Sequence, residues 1–229
     1  MKKLILLLAV VCTFSVTAQT KSELVKHFEA YYQQMKTQGD IQGVINAMTH
    51  LNVLQPNKAR LDTLAYIYAS EGRNLEALNT IGIEQNPTDT DMNTEVKAIA
   101  LKALNQPQRA LVFYEELFKR DANSYLAYEI ADLKVQTQDL AGAKAKVDFG
   151  LANVKDDMKR SYYESQRPYE VSLKGALTYL KALIVFNMNQ TDNLDTAIGL
   201  LDEAMTMDAN FNLAKLSKDA LVARKEKKE

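Results

Sequence analysis

Tryptophan is absent from the 229-residue chain, and it has one cysteine, two histidines, four prolines and eight glycines. Each scarcity excludes something. A lone cysteine cannot build a disulfide framework or a thiolate zinc site within one chain. His27 and His50 are the only imidazoles, and no His-x-x-x-His or Glu-x-x-His spacing joins them to further ligands, so no metal is expected. So little glycine and proline leaves too little turn punctuation for an all-β chain. Twenty-eight basic residues against 29 acidic ones give a net charge of −1, without the basic excess that binds nucleic acid. With 47% hydrophobic residues the chain is too apolar to be disordered. Gly-rich phosphate loops, Gly-x-Ser-x-Gly elbows and EF-hand spacings are also missing. Neighbouring acids such as Glu115-Glu116 diverge by about 100° on a helix, so they do not converge on one substrate. No catalytic residue and no cofactor are assigned.

What is present begins with an address. Lys2 and Lys3 precede an apolar run over 4–11, and small residues lead to a cut after Ala18. The run is well short of the ~20 residues that span a bilayer, so residues 1–18 are expected to be a cleaved signal peptide. Removing Lys2 and Lys3 takes the net charge from −1 to −3. The alternative, a lipid on Cys12, is disfavoured because bulky Val11 stands where a small residue is needed. The expected location is the bacterial periplasm or the exterior. No later stretch is apolar enough to span a membrane, and cleavage leaves residues 19–229 without cysteine.

A beat then runs through the chain. Four polar turns, Gly39-Asp40, Gly72-Arg73, Asn105-Gln106 and Gln138-Asp139, are each followed by a small or apolar residue: Val44, Ala77, Ala110 and Ala143, spaced by 33. A fifth copy ends in Ala197, 54 residues further on. Apolar residues between the turns recur at three and four, as in Leu61, Leu64, Ala65 and Tyr68, which is helical periodicity. Each unit reads as two helices joined by the polar turn. Units are placed at about 22–56, 57–89, 90–122, 123–155 and 174–210, with a capping helix over 211–226.

These residues resemble the tetratricopeptide repeat family. The second unit matches best, through Leu64, Ala65, Tyr68, Gly72, Ala77 and Pro87. The resemblance implies an all-α fold, a right-handed α-α superhelix of about five helix pairs plus the capping helix. It also implies a groove, lined by the first helix of each pair, that receives a partner protein or peptide. Carrying the repeat phase along the chain places Asp62, Tyr66, Glu95, Ile99, Tyr125, Tyr128 and Asp132 toward that groove. The Lys/Asn set with which family members clamp a C-terminal carboxylate is not evident, since Glu29 and Gln33 stand where such donors would serve.

Twenty-one residues beyond the period fall around 152–173. One reading lengthens the flanking helices and joins them near Pro168. The other is a projecting aromatic and basic element, with Tyr162, Tyr163, Arg167 and Tyr169 as contacts, since insertions between repeats emerge on one face. The sequence thus points to a non-enzymatic interaction module of the cell envelope. Its competitors are an envelope enzyme built on groove acids and tyrosines, and a lipid-tethered structural component.

Overall fold

A computed structural model describes residues 20–227. The signal segment 1–18 and Cys12 lie outside the described residues. Eleven helices are described: α1 (Lys21–Gln38), α2 (Ile41–Leu54), α3 (Lys58–Ser70), α4 (Asn74–Ile81), α5 (Asp91–Ala103), α6 (Pro107–Arg120), α7 (Ser124–Gln136), α8 (Leu140–Asn153), α9 (Leu173–Met188), α10 (Leu194–Met207) and α11 (Asn212–Glu226). Helices pack most extensively with their partner in the pairs α1/α2, α3/α4, α5/α6, α7/α8 and α9/α10, and each pair leans on the next. First helices also touch across units, α3 with α5 and α7 with α9. The result is an all-α superhelical stack closed by α11.

The repeated turns share one backbone device. Gly39, Gly72, Asn105 and Gln138 all have positive φ, at 71°, 72°, 56° and 64°, and they stand 33 apart. Each end is locked by the same two bonds. The N–H of the left-handed residue donates to the carbonyl three back, and the following N–H donates to the carbonyl five back, as in Gln138 to Val135 and Asp139 to Lys134. This satisfies carbonyls that the helix end would otherwise orphan. Asp40 and Asp139 then accept from the Gly43 and Gly142 N–H groups and cap the next helix, while Pro107 opens α6 where no donor is needed. The period is therefore a turn motif as well as a hydrophobic pattern.

The small residues sit where helices cross. Ala77, Ala110, Ala143 and Ala197 are fully buried, and Val44 nearly so. In the second pair α4 is short and stops at Gly82, whose φ is +81°. The loop that follows is pinned by buried Lys97, which donates to the Glu84 carbonyl (2.7 Å) and the Asp89 carboxylate (2.6 Å). The fully buried ammonium thus has a carbonyl and a carboxylate as acceptors.

The insertion is neither a pair of lengthened helices nor a projecting arm. It folds as an antiparallel hairpin, β1 (Lys159–Tyr162) against β2 (Tyr169–Ser172), with Arg160 opposite Val171 and Tyr162 opposite Tyr169. Alternation decides its placement. Arg160 and Tyr162 point to the helices and Lys159 and Ser161 away, as period two requires. The inward side chains join the largest hydrophobic cluster, in which Phe211 is surrounded by Tyr162, Tyr169 and Tyr179.

Candidate functional site

The first helices α3, α5 and α7 carry four exposed large apolar residues: Tyr66 (51% exposed), Met92 (43%), Ile99 (41%) and Tyr125 (43%). Exposed Glu95 lies among them in sequence phase. Of the seven predicted groove residues, Tyr66, Glu95, Ile99 and Tyr125 are thus open.

The other three are not open in that way. Asp62, Glu95 and Tyr128 occupy the same position of successive units, yet their surroundings differ. Asp62 is buried because Asn93 of the next unit donates to its carboxylate at 3.0 Å and Lys58 lies at 3.4 Å. Tyr128 is buried because the hairpin covers it. Asp132 is half-buried and holds Lys102 at 3.0 Å.

The hairpin's grip on α7 is the most elaborate polar cluster among the described residues. The Arg160 guanidinium lies 3.9 Å over the Tyr128 ring, and its Nη1 donates to Glu129 at 2.6 Å. Lys102 reaches Glu129 from α5 at 2.5 Å, so one carboxylate ties together α5, α7 and the hairpin. The Tyr128 and Tyr162 hydroxyls share a hydrogen bond of 2.9 Å. Burial alone would raise the Glu129 carboxyl, but Lys102 and Arg160 outweigh it and hold it below the usual carboxylate range. Burial pushes the Tyr162 hydroxyl up to about 12 and lifts Tyr128 as well, so both phenols stay neutral at physiological pH.

The four insertion residues also divide. Tyr162 is buried, so it is not a free contact. Half-buried Tyr169 stacks on Tyr162, donates to Glu164 and accepts from the Leu213 N–H. Tyr163 (74% exposed) and Arg167 face outward at the hairpin tip. Arg160, Glu129 and Lys102 were missed, because their meeting depends on the hairpin's register and their separations of 27 and 31 residues follow no motif.

Among the described residues no group of His, Cys, Asp and Glu could hold a metal, and no helix is long and apolar enough to cross a membrane. His50 instead stacks on Phe28 at 4.3 Å.

Five successive helix pairs, four of them at a 33-residue period with the same turn lock, define a helical repeat solenoid. No protein-family model matches the chain, and no curated protein does. Solved structures do. The chain is similar to a tetratricopeptide repeat protein from Parabacteroides merdae, with a TM-score of 0.64 and 16% identity over 87% of this chain and 72% of that one. A tetratricopeptide repeat protein from Thermus thermophilus gives a TM-score of 0.49 at 13% identity, over 87% and 99%. By fold, the chain is a tetratricopeptide-repeat-like protein.

Proposed function

We propose that the chain is an exported, non-catalytic scaffold of the bacterial envelope that binds a partner protein through the face made by its first helices. The observation that carries this reading is the open strip of Tyr66, Met92, Ile99 and Tyr125 beside Glu95, on the helices that line the groove in such solenoids. Tyrosine offers a flat contact with a polar tip at low entropic cost. The acids favour a partner with basic residues. Catalysis would need free carboxylates, and of Asp62, Glu95 and Asp132 only Glu95 lacks an ion-pair partner among the described residues. Fold alone does not define the activity, so the site residues carry the argument.

Affinity capture from envelope extract tests it. The chain should retain a partner that is lost when Tyr66, Ile99 and Tyr125 are replaced together by alanine. Capture indifferent to that change would refute the groove. Mass spectrometry of the mature N-terminus tests export: a chain beginning at Gln19 is expected, and diacylglycerol on Cys12 would overturn the cleavage.

A further inference from the structure

The hairpin has two edges, and they are paired to different degrees. The Leu173 N–H donates to the Met158 carbonyl, so pairing alternates to put the ladder bonds at 160–171 and 162–169 and to turn residues 159, 161, 170 and 172 outward. On β2 two of the outward groups are taken. The Ser172 N–H donates to Asp208 at 3.0 Å, and the Glu170 carbonyl accepts from Asn210 at 3.3 Å. On β1 the Lys159 N–H meets only the Tyr125 hydroxyl, at 3.3 Å. The Ser161 N–H and carbonyl and the Lys159 carbonyl have no partner among the described residues, and both residues are accessible.

That open edge ends at a charged cleft. Tyr125 also rims a cleft of about 420 Å³ between α5, α6 and α7, lined by Asp91, Glu95, Asp121 and Arg120. Arg120 is already engaged by Asp91 (2.9 Å) and Glu116 (3.3 Å), so negative charge is left over. Lys159 does not offset it, since its side chain points off the opposite face of the hairpin.

Nearby, the protein shows how this surface takes a strand. β1 lays an arginine on Tyr128 and delivers it to Glu129. A second strand, about 4.8 Å farther along the hydrogen-bonding direction, would place its alternate side chains toward Glu95 and Tyr125. We propose that an extended basic segment of a partner protein adds to the free edge of β1, pairing with Ser161 and directing a lysine or arginine into the acidic cleft. This rests on the groove-binding reading above and specifies the form and charge of the occupant.

The test uses fluorescence anisotropy with a short peptide of alternating lysine and valine, the same peptide N-methylated on its lysines only or on its valines only, and a glutamate–valine control. Strand pairing requires one methylated form to lose affinity on the order of tenfold, while the other binds like the parent. Glu95→Lys should weaken the parent by a similar factor, the glutamate peptide should not bind, and the Ser161 amide should shift in a ¹⁵N spectrum. Equal affinities for both methylated forms, or an unmoved Ser161 amide, would overturn strand addition while leaving groove binding intact. Failure of every peptide to bind would overturn the proposed occupant. The tyrosine-dependent capture of a natural partner tests the groove separately.

Discussion

Replacing Arg160 with alanine should release the hairpin from the helices without unfolding the stack. The side chain makes a partly buried, charge-assisted bond to Glu129 at 2.6 Å, in a class contributing about 1.5–3 kcal/mol. It also lies 3.9 Å over Tyr128, a cation–π contact of about 1–2 kcal/mol when desolvated. Lys102 remains on Glu129, so the substitution leaves no bare carboxylate and the larger cost of an orphaned buried charge does not arise. Its buried Nε has no hydrogen-bond partner, which lowers what the wild-type arrangement contributes. The net loss is about 2–3 kcal/mol, local to hairpin docking. Amide hydrogen exchange in β1 and β2 should then accelerate roughly 30- to 150-fold, while α1 to α6 stay unchanged. Arg160→Lys should not rescue fully, because an ammonium lacks the flat face that covers the ring. Unchanged exchange in the hairpin, or equal acceleration throughout, would refute the claim that Arg160 fastens a separate element.

Other outcomes follow from particular backbone and titration environments. Gln138→Gly should stabilise the protein by about 0.5–1 kcal/mol, because a left-handed φ of 64° strains any residue with a Cβ; a melting point raised by about 2 °C would show it. Gly150→Val should cost about 1–3 kcal/mol, since even a Cβ there would lie 2.8 Å from Leu177, whereas Gly199→Ala, with open space around it, should gain up to about 1 kcal/mol; urea titration separates the two. Tyr162 keeps its proton longer folded than unfolded, so its contribution is whole below pH 10 and fades as pH rises to about 12; tyrosinate absorbance should show a late-titrating phenol that Tyr162→Phe removes. Glu129 has the opposite sign: its folded value is lowered, so its contribution holds above the ordinary carboxylate range and is lost as pH falls through the folded value, read as a falling protection factor of the hairpin amides relative to their intrinsic exchange.

The repeats were legible in the sequence because one local solution recurs. Ala77, Ala110 and Ala143 mark fully buried crossings, and Gly39 and Gly72 mark left-handed turns. Asn105 and Gln138 show the limit of that legibility: they adopt the same conformation without the residue type that advertises it, held there by two backbone bonds. The groove was legible only as a phase. Projection treats Asp62, Glu95 and Tyr128 as equivalents, but Asn93 covers the first and the hairpin covers the third. The hairpin itself had a weak signal. Lys159-Arg160-Ser161-Tyr162 alternates long inward groups with others, yet four residues do not establish a period, and the partners that fix it lie far off in sequence, Glu129 on α7 and Asn210 in the turn after α10.

In a plain stack each tier leans only on its neighbours, so tension applied to the ends would peel it tier by tier. Here the hairpin fastens to α7 through Arg160, runs directly into α9, and meets the start of α11 through Tyr169 and Asn210. Three successive tiers are thereby riveted into one block, while the amino-terminal tiers keep the give of a spring. A load passed along this chain would stretch its first half and be held rigid by its second.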